Sequence, residues 1–496
     1  MPTSSELCPN CPDTPPSDTE DINWIQCDIC RQWFHTICIG TKEEDIAEIA
    51  SYHCQKCSKK HGPSQLRRVS KRARVKIDYV ALDQGETFAI DKSVHPHVPS
   101  FEEFAFVADP NAKGDPYIDV LSGDELTKEY ILATGLPRPI LIPQVVNEDV
   151  GMKLPCEREE VTVSKIASLV GEDEPVEVMD VLSQQSESPG WNLGQWKRYF
   201  YMRDKDRIRN VISLEVSDVE GLGDAFVRPK MVRDMDLVDK VWSQNESGEE
   251  RPKVTTYCLM SVAGSYTDFH IDFSGTPVYY TVCHGSKTFL MYPPTDDNLD
   301  LYTSWCKEPR QNFTWFGTYS KKIRGKKLIP TGGFKVSLQK GDLFIIPSGW
   351  IHSVYTPEDS VIIGGNYLTL KDIPMHLKIY NIEKATGVPS RYRFPKFNRV
   401  LWLASYYFYT HQDEFLQDSV LSDTKTTETH SGEALHTASK IIAALAAHLS
   451  DHYQLSKTNN MAKKSIPTQL IGKDVLSFLD KLRAWQLELS RLSSAD

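Results

Sequence analysis

The chain has 496 residues, a formal net charge of −11 and 40% hydrophobic residues. This length predicts about two to four domains with at least one large core. No apolar run reaches the roughly 18 residues that would indicate a transmembrane helix, and residues 1–6 lack the features of an ordinary secretory signal. The acidic balance argues against a protein whose whole surface binds nucleic acid.

A dense set of cysteines in the first 57 residues predicts metal binding. Seven of the 11 cysteines of the chain lie there, and His35 stands three residues before one of them. Without a secretory signal, metal thiolates are favoured over disulfides. Eight ligands in four pairs are enough for two closed, structural Zn²⁺ sites that fold the segment. The candidate ligands are Cys8, Cys11, Cys27, Cys30, His35, Cys38, Cys54 and Cys57.

The order of four cysteines, one histidine and three cysteines resembles a PHD finger, a cross-braced module that reads histone tails. The resemblance covers residues 5–58 and makes Trp24 and Trp33 candidates for a methyl-lysine cage, in which aromatic faces attract the ammonium group. The family often carries a tyrosine before the first cysteine, where this chain has Leu7, so the expected cage is partial. Packing of Trp33 in the small core is an equal alternative.

Residues 59–76 are predicted to form a basic linker, because they contain eight Lys or Arg residues and no acidic residue. A solvated linker is the default interpretation. The functional interpretation is a nuclear localisation signal or a non-specific contact with DNA phosphates. The neighbouring finger favours the functional interpretation, so we expect a protein of the nucleus with no membrane partner.

The rest of the chain predicts a multidomain α+β protein. Residues 77–205 are expected to be a helical or mixed region, residues 206–372 a β-rich domain and residues 373–496 a helical region. Many short strands between Gly and Pro turns fit a β-sandwich or jelly roll. The predicted strands are 208–216, 256–262, 278–282, 288–292, 343–346 and 361–364, and the predicted helices include 440–453 and 473–492.

An H-x-D motif in the β-rich region predicts a second kind of metal site. His270 and Asp272 are two residues apart, and alternate residues of a strand face the same side, so both can bind one ion. His352, on a distant predicted strand, would complete a 2-His-1-carboxylate triad, which leaves positions open on Fe(II). The motif alone is weak, and a second copy begins at His411. That copy lies in the helical tail and is interpreted as surface.

Further side chains near the motif suit a dicarboxylate co-substrate. Lys287 lies on the next predicted β segment and can pair with a carboxylate, while Thr267 and Tyr280 supply hydroxyl groups. A metal for an α-keto acid and a cation for the far carboxylate are what 2-oxoglutarate requires. A surface position for Lys287 and a core position for His352 are the plainer interpretations of each residue taken singly.

Segments 210–217, 260–262 and 266–273 resemble a JmjC domain, of the branch shared by lysine-36 histone demethylases and their PHD-containing relatives. The resemblance covers about residues 5–400. It implies a double-stranded β-helix with flanking helices, in which His270, Asp272 and His352 bind Fe(II). It also implies that 2-oxoglutarate contacts Thr267, Lys287, Tyr280 and Asn210, and that Asn366 lies beside the metal ligands.

The function implied is an Fe(II)- and 2-oxoglutarate-dependent dioxygenase that uses O2 to demethylate histone H3 at lysine 36. The expected substrates are the dimethylated and monomethylated states, the products are formaldehyde, succinate and CO2, and the partners are the histone H3 tail and the nucleosome. Such a protein regulates chromatin and transcription. Three alternatives stay open: demethylation of lysine 9 or 27, a chromatin scaffold without turnover, and a protein hydroxylase that releases no formaldehyde. His95 and His97 lack a carboxylate at useful spacing and receive no role.

Overall fold

The structure is a computed structural model that describes residues 8–11, 24–40, 49–66, 94–187, 190–244, 248, 250–419 and 432–494. The chain divides into two compact units, Met1–Ile90 and Asp91–Asp496. Most of the predicted basic linker, residues 67–76, lies outside the described residues. Among the helices that are described, none combines the length and apolar character needed to cross a membrane.

The first unit consists of short elements around a small core rich in cysteine. Its strands pair as two antiparallel ribbons, β1 with β2 and β3 with β4. Phe34 and Tyr52 pack edge to face in the core, with ring centroids 6.1 Å apart. A core this small rarely stabilises a domain without metal or disulfide bonds. The elements are β1 (Trp24–Gln26), β2 (Trp33–His35), β3 (Ile49–Ser51), α1 (Gln55–His61) and β4 (Gln65–Leu66).

The second unit is built on an 11-stranded sheet in the order β5-β6-β18-β14-β19-β12-β11-β8-β9, with β13 paired to β19 and β17 to β14. The strand bounds are β5 (Asp119–Val120), β6 (Ile140–Ile142), β7 (Pro175–Val176), β8 (Met179–Asp180), β9 (Gln185–Ser186), β10 (Trp191–Asn192), β11 (Arg209–Glu215), β12 (Tyr257–Ser261), β13 (Tyr266–His270), β14 (Val278–Tyr292), β15 (Lys321–Ile323), β16 (Lys326–Leu328), β17 (Phe334–Gln339), β18 (Leu343–Ile346) and β19 (Ile351–Asn366). This curled sheet confirms the predicted jelly roll.

The two longest strands correct the predicted strand count. Segments 278–282 and 288–292 belong to one strand, β14, whose first half pairs with β18 and whose second half pairs with β17. Segment 361–364 is likewise only part of β19. Register shifts between Val282 and Thr288 bend β14 without ending it. Gly285 makes the bend feasible, because it has φ +68° and a Cβ there would lie 2.1 Å from the Asp359 carbonyl oxygen.

Helices cover the sheet and form the C-terminal region. The predicted helix 440–453 is confirmed as part of α12 (Gly432–Ser456), and the predicted helix 473–492 is confirmed as α15, which begins two residues later at Val475. The two helices pack on each other through their apolar faces. The helices are α2 (Val98–Glu102), α3 (Lys128–Thr134), α4 (Val163–Val170), α5 (Leu193–Tyr201), α6 (Lys230–Met235), α7 (Leu237–Val241), α8 (Asp296–Trp305), α9 (Ile373–Thr386), α10 (Phe397–Thr410), α11 (Gln412–Ser419), α12 (Gly432–Ser456), α13 (Asn460–Lys464), α14 (Thr468–Ile471) and α15 (Val475–Leu492).

Helix α9 holds the turn that directly follows Asp272. Ser274 in this turn has φ +49°, a region that non-glycine residues rarely adopt. Its backbone N–H donates to Glu383 Oε1 at 2.5 Å, and its carbonyl oxygen accepts from His376 Nδ1 at 3.0 Å. Gly275 packs so closely that a Cβ there would lie 2.7 Å from the Ile379 side chain. The helical region therefore fixes the backbone beside a predicted metal ligand.

The contact of Glu383 with this turn can be tested by stability measurements. Glu383→Ala leaves the buried N–H of Ser274 without its acceptor, so we expect the free energy of unfolding to fall by about 1–3 kcal/mol. Glu383→Gln keeps an acceptor oxygen and should lose less. The exposed Glu488→Ala on α15 is the matched control, with an expected change within about 0.5 kcal/mol. Urea denaturation followed by tryptophan fluorescence measures all three, and equal losses for Glu383→Ala and Glu488→Ala would contradict this account.

Candidate metal centre and co-substrate cavity

Strand pairing brings the three predicted iron ligands together. His270 ends β13 and His352 is the second residue of β19, and the two are direct partners in the antiparallel register. Their ring centroids lie 4.3 Å apart. Asp272 Oδ2 is 3.8 Å from His352 Nε2, and one potential ligand atom from each of the three residues lies within 4.8 Å of the others. This is the spacing expected of three protein ligands on one face of a single ion.

Backbone carbonyl groups orient both imidazole rings. His270 Nδ1 is 2.9 Å from the carbonyl oxygen of Asp268, and His352 Nδ1 is 3.2 Å from that of Trp350. A carbonyl oxygen only accepts, so each Nδ1 carries the proton and each Nε2 keeps a free lone pair. Burial, together with the nearby His270, holds the pKa of His352 well below its usual value. The ring orientation suits both histidines for metal binding through Nε2, and the lowered pKa keeps His352 neutral.

The carboxylate of the triad fits a cation. Asn366 Nδ2 donates to Asp272 Oδ1 at 3.4 Å and to Thr276 Oγ1 at 2.9 Å, which orients the carboxylate. Burial raises the pKa of Asp272 above its usual value, because a desolvated carboxylate requires a counter-charge. A divalent cation bound by the three side chains would supply that counter-charge.

The triad lines a cavity of about 670 Å³, and Lys287 extends into the same cavity. The Lys287 side chain is only 2% exposed, and Nζ donates to Ser261 Oγ at 2.5 Å and to Thr356 Oγ1 at 2.8 Å. Burial lowers the pKa of Lys287 to about 7, and no acidic residue of the described chain pairs with Nζ. A buried cation without an anion is costly, so this group suits an anionic ligand.

Hydrogen bonds link the predicted co-substrate contacts to one another. Ser261 Oγ donates to Asn210 Oδ1 at 2.6 Å, and Asn210 Nδ2 donates to Thr267 Oγ1 at 3.3 Å. Tyr280 also lines the cavity, and burial raises its pKa, so its phenol remains a neutral donor. The structure thus places Thr267, Tyr280 and Lys287 around one cavity, while Asn210 is hydrogen-bonded to Thr267 and Ser261 and does not line that cavity itself.

Two of the hydroxyl groups in this network have no role in the predictions from sequence. Ser261 and Thr356 are buried hydroxyl residues of β12 and β19. For Ser261, a serine at the end of the mostly apolar β12 was the available signal. It gains meaning only when the partner lysine on β14 is known.

His97 also received no role from the sequence, yet it lies behind the metal centre. Its Nδ1 is 3.4 Å from Asp268 Oδ1, the residue whose carbonyl group orients His270. Tyr266 Oη donates to the same oxygen at 3.0 Å, and Gln311 Nε2 donates to Asp268 Oδ2 at 3.1 Å. The partner carboxylate is far away in the sequence, so local spacing gave no hint of the contact.

The eight predicted zinc ligands gather in two groups. The interleaved sets are Cys8, Cys11, His35 and Cys38, and Cys27, Cys30, Cys54 and Cys57. Cys11 Sγ lies 3.8 Å from Cys38 Sγ, and Cys30 Sγ lies 3.8 Å from Cys54 Sγ. A disulfide would need about 2.05 Å, whereas a tetrahedral site with Zn–S bonds of about 2.3 Å has sulfur atoms about 3.8 Å apart. The donor set and its spacing therefore fit zinc.

The electrostatic environment of the cysteine thiols also favours a bound cation. Burial and the neighbouring cysteines raise the pKa of Cys38 to about 11 and that of Cys57 to about 12, since thiolates this close repel one another. Burial also opposes ionisation of Cys27, but backbone N–H groups outweigh it and lower that pKa to about 6. Thiolate clusters of this kind are stabilised by bound Zn²⁺.

The two cage candidates share one face of the β1–β2 ribbon, because the register pairs Trp24 with His35 and Gln26 with Trp33. Both tryptophans are half-buried. The Trp24 ring lies 3.9 Å from the His35 ring and packs against the small core, so one of its faces is engaged by the fold. A methyl-lysine cage at this face stays a prediction.

Three regions of the chain match known protein families. Residues 8–57 match the family described as PHD-finger, residues 176–371 match the Cupin-like domain and residues 371–478 match the Jumonji helical domain. A protein of Debaryomyces hansenii named JmjC domain-containing histone demethylation protein 1 is 53% identical over an alignment of 516 positions, which covers 98% of this chain and 99% of the relative.

Relatives of the same name occur in other yeasts. The protein of Candida albicans is 52% identical over 499 residues, covering 99% of this chain and 99% of the relative. That of Saccharomyces cerevisiae is 38% identical over 433 residues, covering 76% of this chain and 82% of the relative. The similarity therefore extends through both units of the chain.

The role of Lys287 in binding 2-oxoglutarate can be tested by removing its charge. Lys287→Met keeps the length of the side chain but removes its charge, so we expect 2-oxoglutarate to lose its stabilising effect on the protein. The variant itself should be at least as stable as the parent, because a desolvated cation is gone. Thermal unfolding with and without 2-oxoglutarate measures both, and the exposed Lys113→Met serves as the control. An undiminished 2-oxoglutarate shift in Lys287→Met would refute the assignment.

The zinc assignment makes a stoichiometric prediction. Cys27→Ser removes one ligand of one cluster, so the zinc content should fall from two ions per chain to one or none, with loss of the folded finger. Cys156→Ser, in the second unit, is the control and should retain both ions. Elemental analysis of the purified variants measures the zinc content per chain. Two zinc ions per chain in Cys27→Ser would contradict the interleaved arrangement.

Proposed function

The chain belongs to the family of JmjC domain-containing histone demethylation protein 1, and on this premise we propose that it is a histone lysine demethylase dependent on Fe(II) and 2-oxoglutarate. The finer proposal is that it demethylates dimethylated and monomethylated lysine 36 of histone H3 in the nucleus. The observation that carries the catalytic part is the buried Lys287, which forms no ion pair with a described residue and lies in the same cavity as the 2-His-1-carboxylate triad.

The proposed roles follow from the chemistry of each group. His270, Asp272 and His352 would bind Fe(II) on one side and leave its other side to 2-oxoglutarate and O2. Lys287 would pair with the distal carboxylate of 2-oxoglutarate, with Thr267, Asn210 and Tyr280 as hydrogen-bond partners. When bound, iron and co-substrate supply oxidation of an N-methyl group, which leaves as formaldehyde while 2-oxoglutarate becomes succinate and CO2.

The protein's own contribution is binding and positioning. The carbonyl groups of Asp268 and Trp350 hold the two imidazoles, and Asn366 holds the carboxylate, so little reorganisation is needed when a metal binds. The buried walls around Lys287 exclude water from the distal carboxylate and strengthen the ion pair. A methyl group positioned at the open side of the metal would react without a diffusional search.

A chromatin-binding scaffold without catalytic turnover is an alternative that explains the buried side chains less well. Such a protein has no use for a desolvated cation without a counter-ion, yet Lys287 and all three triad residues are present together. The choice of lysine 36 over lysine 9 or 27 rests on the resemblance to the lysine-36 branch. The finger and the basic residues 59–76 support a proposal of histone-tail and DNA contacts in the nucleus, with two structural Zn²⁺ ions.

The iron proposal is tested by one variant and a control from the same chain. His270→Ala should abolish formaldehyde release, because two ligands rarely hold Fe(II), while the finger keeps its zinc. His411→Ala alters the other H-x-D motif, which lies exposed at the end of α10, and should leave the rate unchanged. Retained activity in His270→Ala would contradict the proposed role of the triad in catalysis.

The substrate proposal is tested by offering histone H3 peptides dimethylated at lysine 4, 9, 27 or 36 together with Fe(II) and 2-oxoglutarate. We expect formaldehyde from the lysine-36 peptide and at least tenfold less from the others. Mass spectrometry separates loss of a methyl group from gain of oxygen. A stable hydroxylated product would indicate a hydroxylase, and release from the lysine-9 or lysine-27 peptide alone would replace the proposed mark.

A further inference from the structure

A β-hairpin in the second unit carries positive charge that the fold itself does not use. Strands β15 and β16 lie in the insertion between β14 and β17 and are joined by the two-residue turn Arg324-Gly325. The two turn residues have φ values of +48° and +84°, as in the tight turns that match the twist of a hairpin. The seven residues 321–327 include five lysines or arginines.

One face of this hairpin is anchored to the protein. Leu328 is buried and Ile323 is half-buried, and both pack in the apolar cluster that also contains residues of α8. Cations at the edges and tip of the hairpin pair with neighbouring acids. These pairs are Lys321 with Glu308 at 2.7 Å, Arg324 with Asp300 at 3.3 Å and Lys326 with Asp297 at 2.7 Å. The hairpin is thus attached in a defined orientation.

The opposite face presents two lysines without a counter-charge in the part of the chain that the structure describes. Lys322 and Lys327 are direct partners across the ribbon, so both side chains point to the same side, away from the anchored face. Both are exposed, and neither forms an ion pair with any described residue. Like charges placed directly opposite each other destabilise a ribbon, and a two-stranded ribbon is marginal to begin with. A partner with negative charge would relieve this repulsion.

We propose that the outward face of the hairpin, Lys322 and Lys327, binds the phosphate backbone of duplex DNA. A two-stranded ribbon is one of the shapes that a DNA groove admits, and lysines contact phosphates as point charges. The inference rests on the proposed function, because a histone tail on a nucleosome is presented beside DNA. The tail itself is cationic, so these lysines would repel it. They differ from the basic residues 59–76, which precede the second unit.

The insertion that carries the hairpin is tied to the candidate active site. It leaves the sheet after Tyr292 and returns at Phe334, which pairs with Met291, the partner of His352 on the next strand. Its Trp315 ring lies 5.1 Å from the ring of Phe269, the residue directly before His270. DNA held on the outward face would therefore be held by the same rigid body that contains the cavity.

The test measures binding of the full-length protein to a fluorescent DNA duplex over a range of salt concentrations. Each phosphate contact contributes about 0.9 to the slope of log K against log salt, so Lys322→Ala/Lys327→Ala should reduce the slope by about 1.8. The control Lys473→Ala/Lys481→Ala removes the same charge from two exposed lysines of the C-terminal region and should leave the slope unchanged. An equal decrease of the slope in both variants would show that only the net charge of the protein matters, and it would overturn the proposal.

Two further measurements distinguish DNA binding from binding of acidic chains in general and from an effect on catalysis. If fluorescent polyglutamate loses as much affinity as DNA in the Lys322/Lys327 variant, the face binds acidic chains in general, and the assignment to DNA is wrong. Formaldehyde release from a free methylated peptide should be the same in the variant and the parent. Because DNA binding is measured without any methylated substrate, absence of demethylation in the parent would refute the proposed function while leaving the DNA result decisive on its own.

Discussion

The burial of one positive charge without an anion is the constraint around which the cavity is arranged. Lys287 is 2% exposed and donates only to the hydroxyl groups of Ser261 and Thr356 in the described structure. The Ser261 hydroxyl also connects Lys287, through Asn210, to Thr267, so these polar side chains form one network. The triad has the opposite requirement, since burial raises the pKa of the Asp272 carboxyl group and a bound cation would stabilise its charged form. A metal ion and a dicarboxylate together would satisfy both ends of the cavity.

The sheet places these groups with little freedom. His270 and His352 are partners in one antiparallel register, and slippage by one residue would turn either side chain to the other face. The bend at Gly285 lets β14 contribute Tyr280 and Lys287 from its two halves to the same space. Helix α9 then fixes the turn after Asp272 through Glu383 and His376. The catalytic proposal thus depends on the C-terminal helical region as much as on the jelly roll.

Much of this arrangement follows from local sequence, and the remainder depends on contacts between distant segments. The period-two spacing of His270 and Asp272 and the paired cysteines of the finger indicated both metal sites from local sequence, and the resemblance to a JmjC domain supported the distant His352 as the third iron ligand. The continuity of β14 was missed, because residues 283–287 look like a break unless the partner strand is known. The contacts of Ser261 with Lys287 and of His97 with Asp268 join remote positions, which spacing alone does not relate.

The central claim is that metal and dicarboxylate occupy one cavity and favour each other's binding. Calorimetric titration of 2-oxoglutarate into the full-length protein tests it most directly, with Mn²⁺ as a stand-in that avoids turnover. We expect binding to be at least tenfold tighter with Mn²⁺ than without, and we expect the gain to vanish in His352→Ala, because the α-keto acid then loses the ion it would contact. Equal affinity with and without Mn²⁺ would contradict the shared cavity and the function proposed from it.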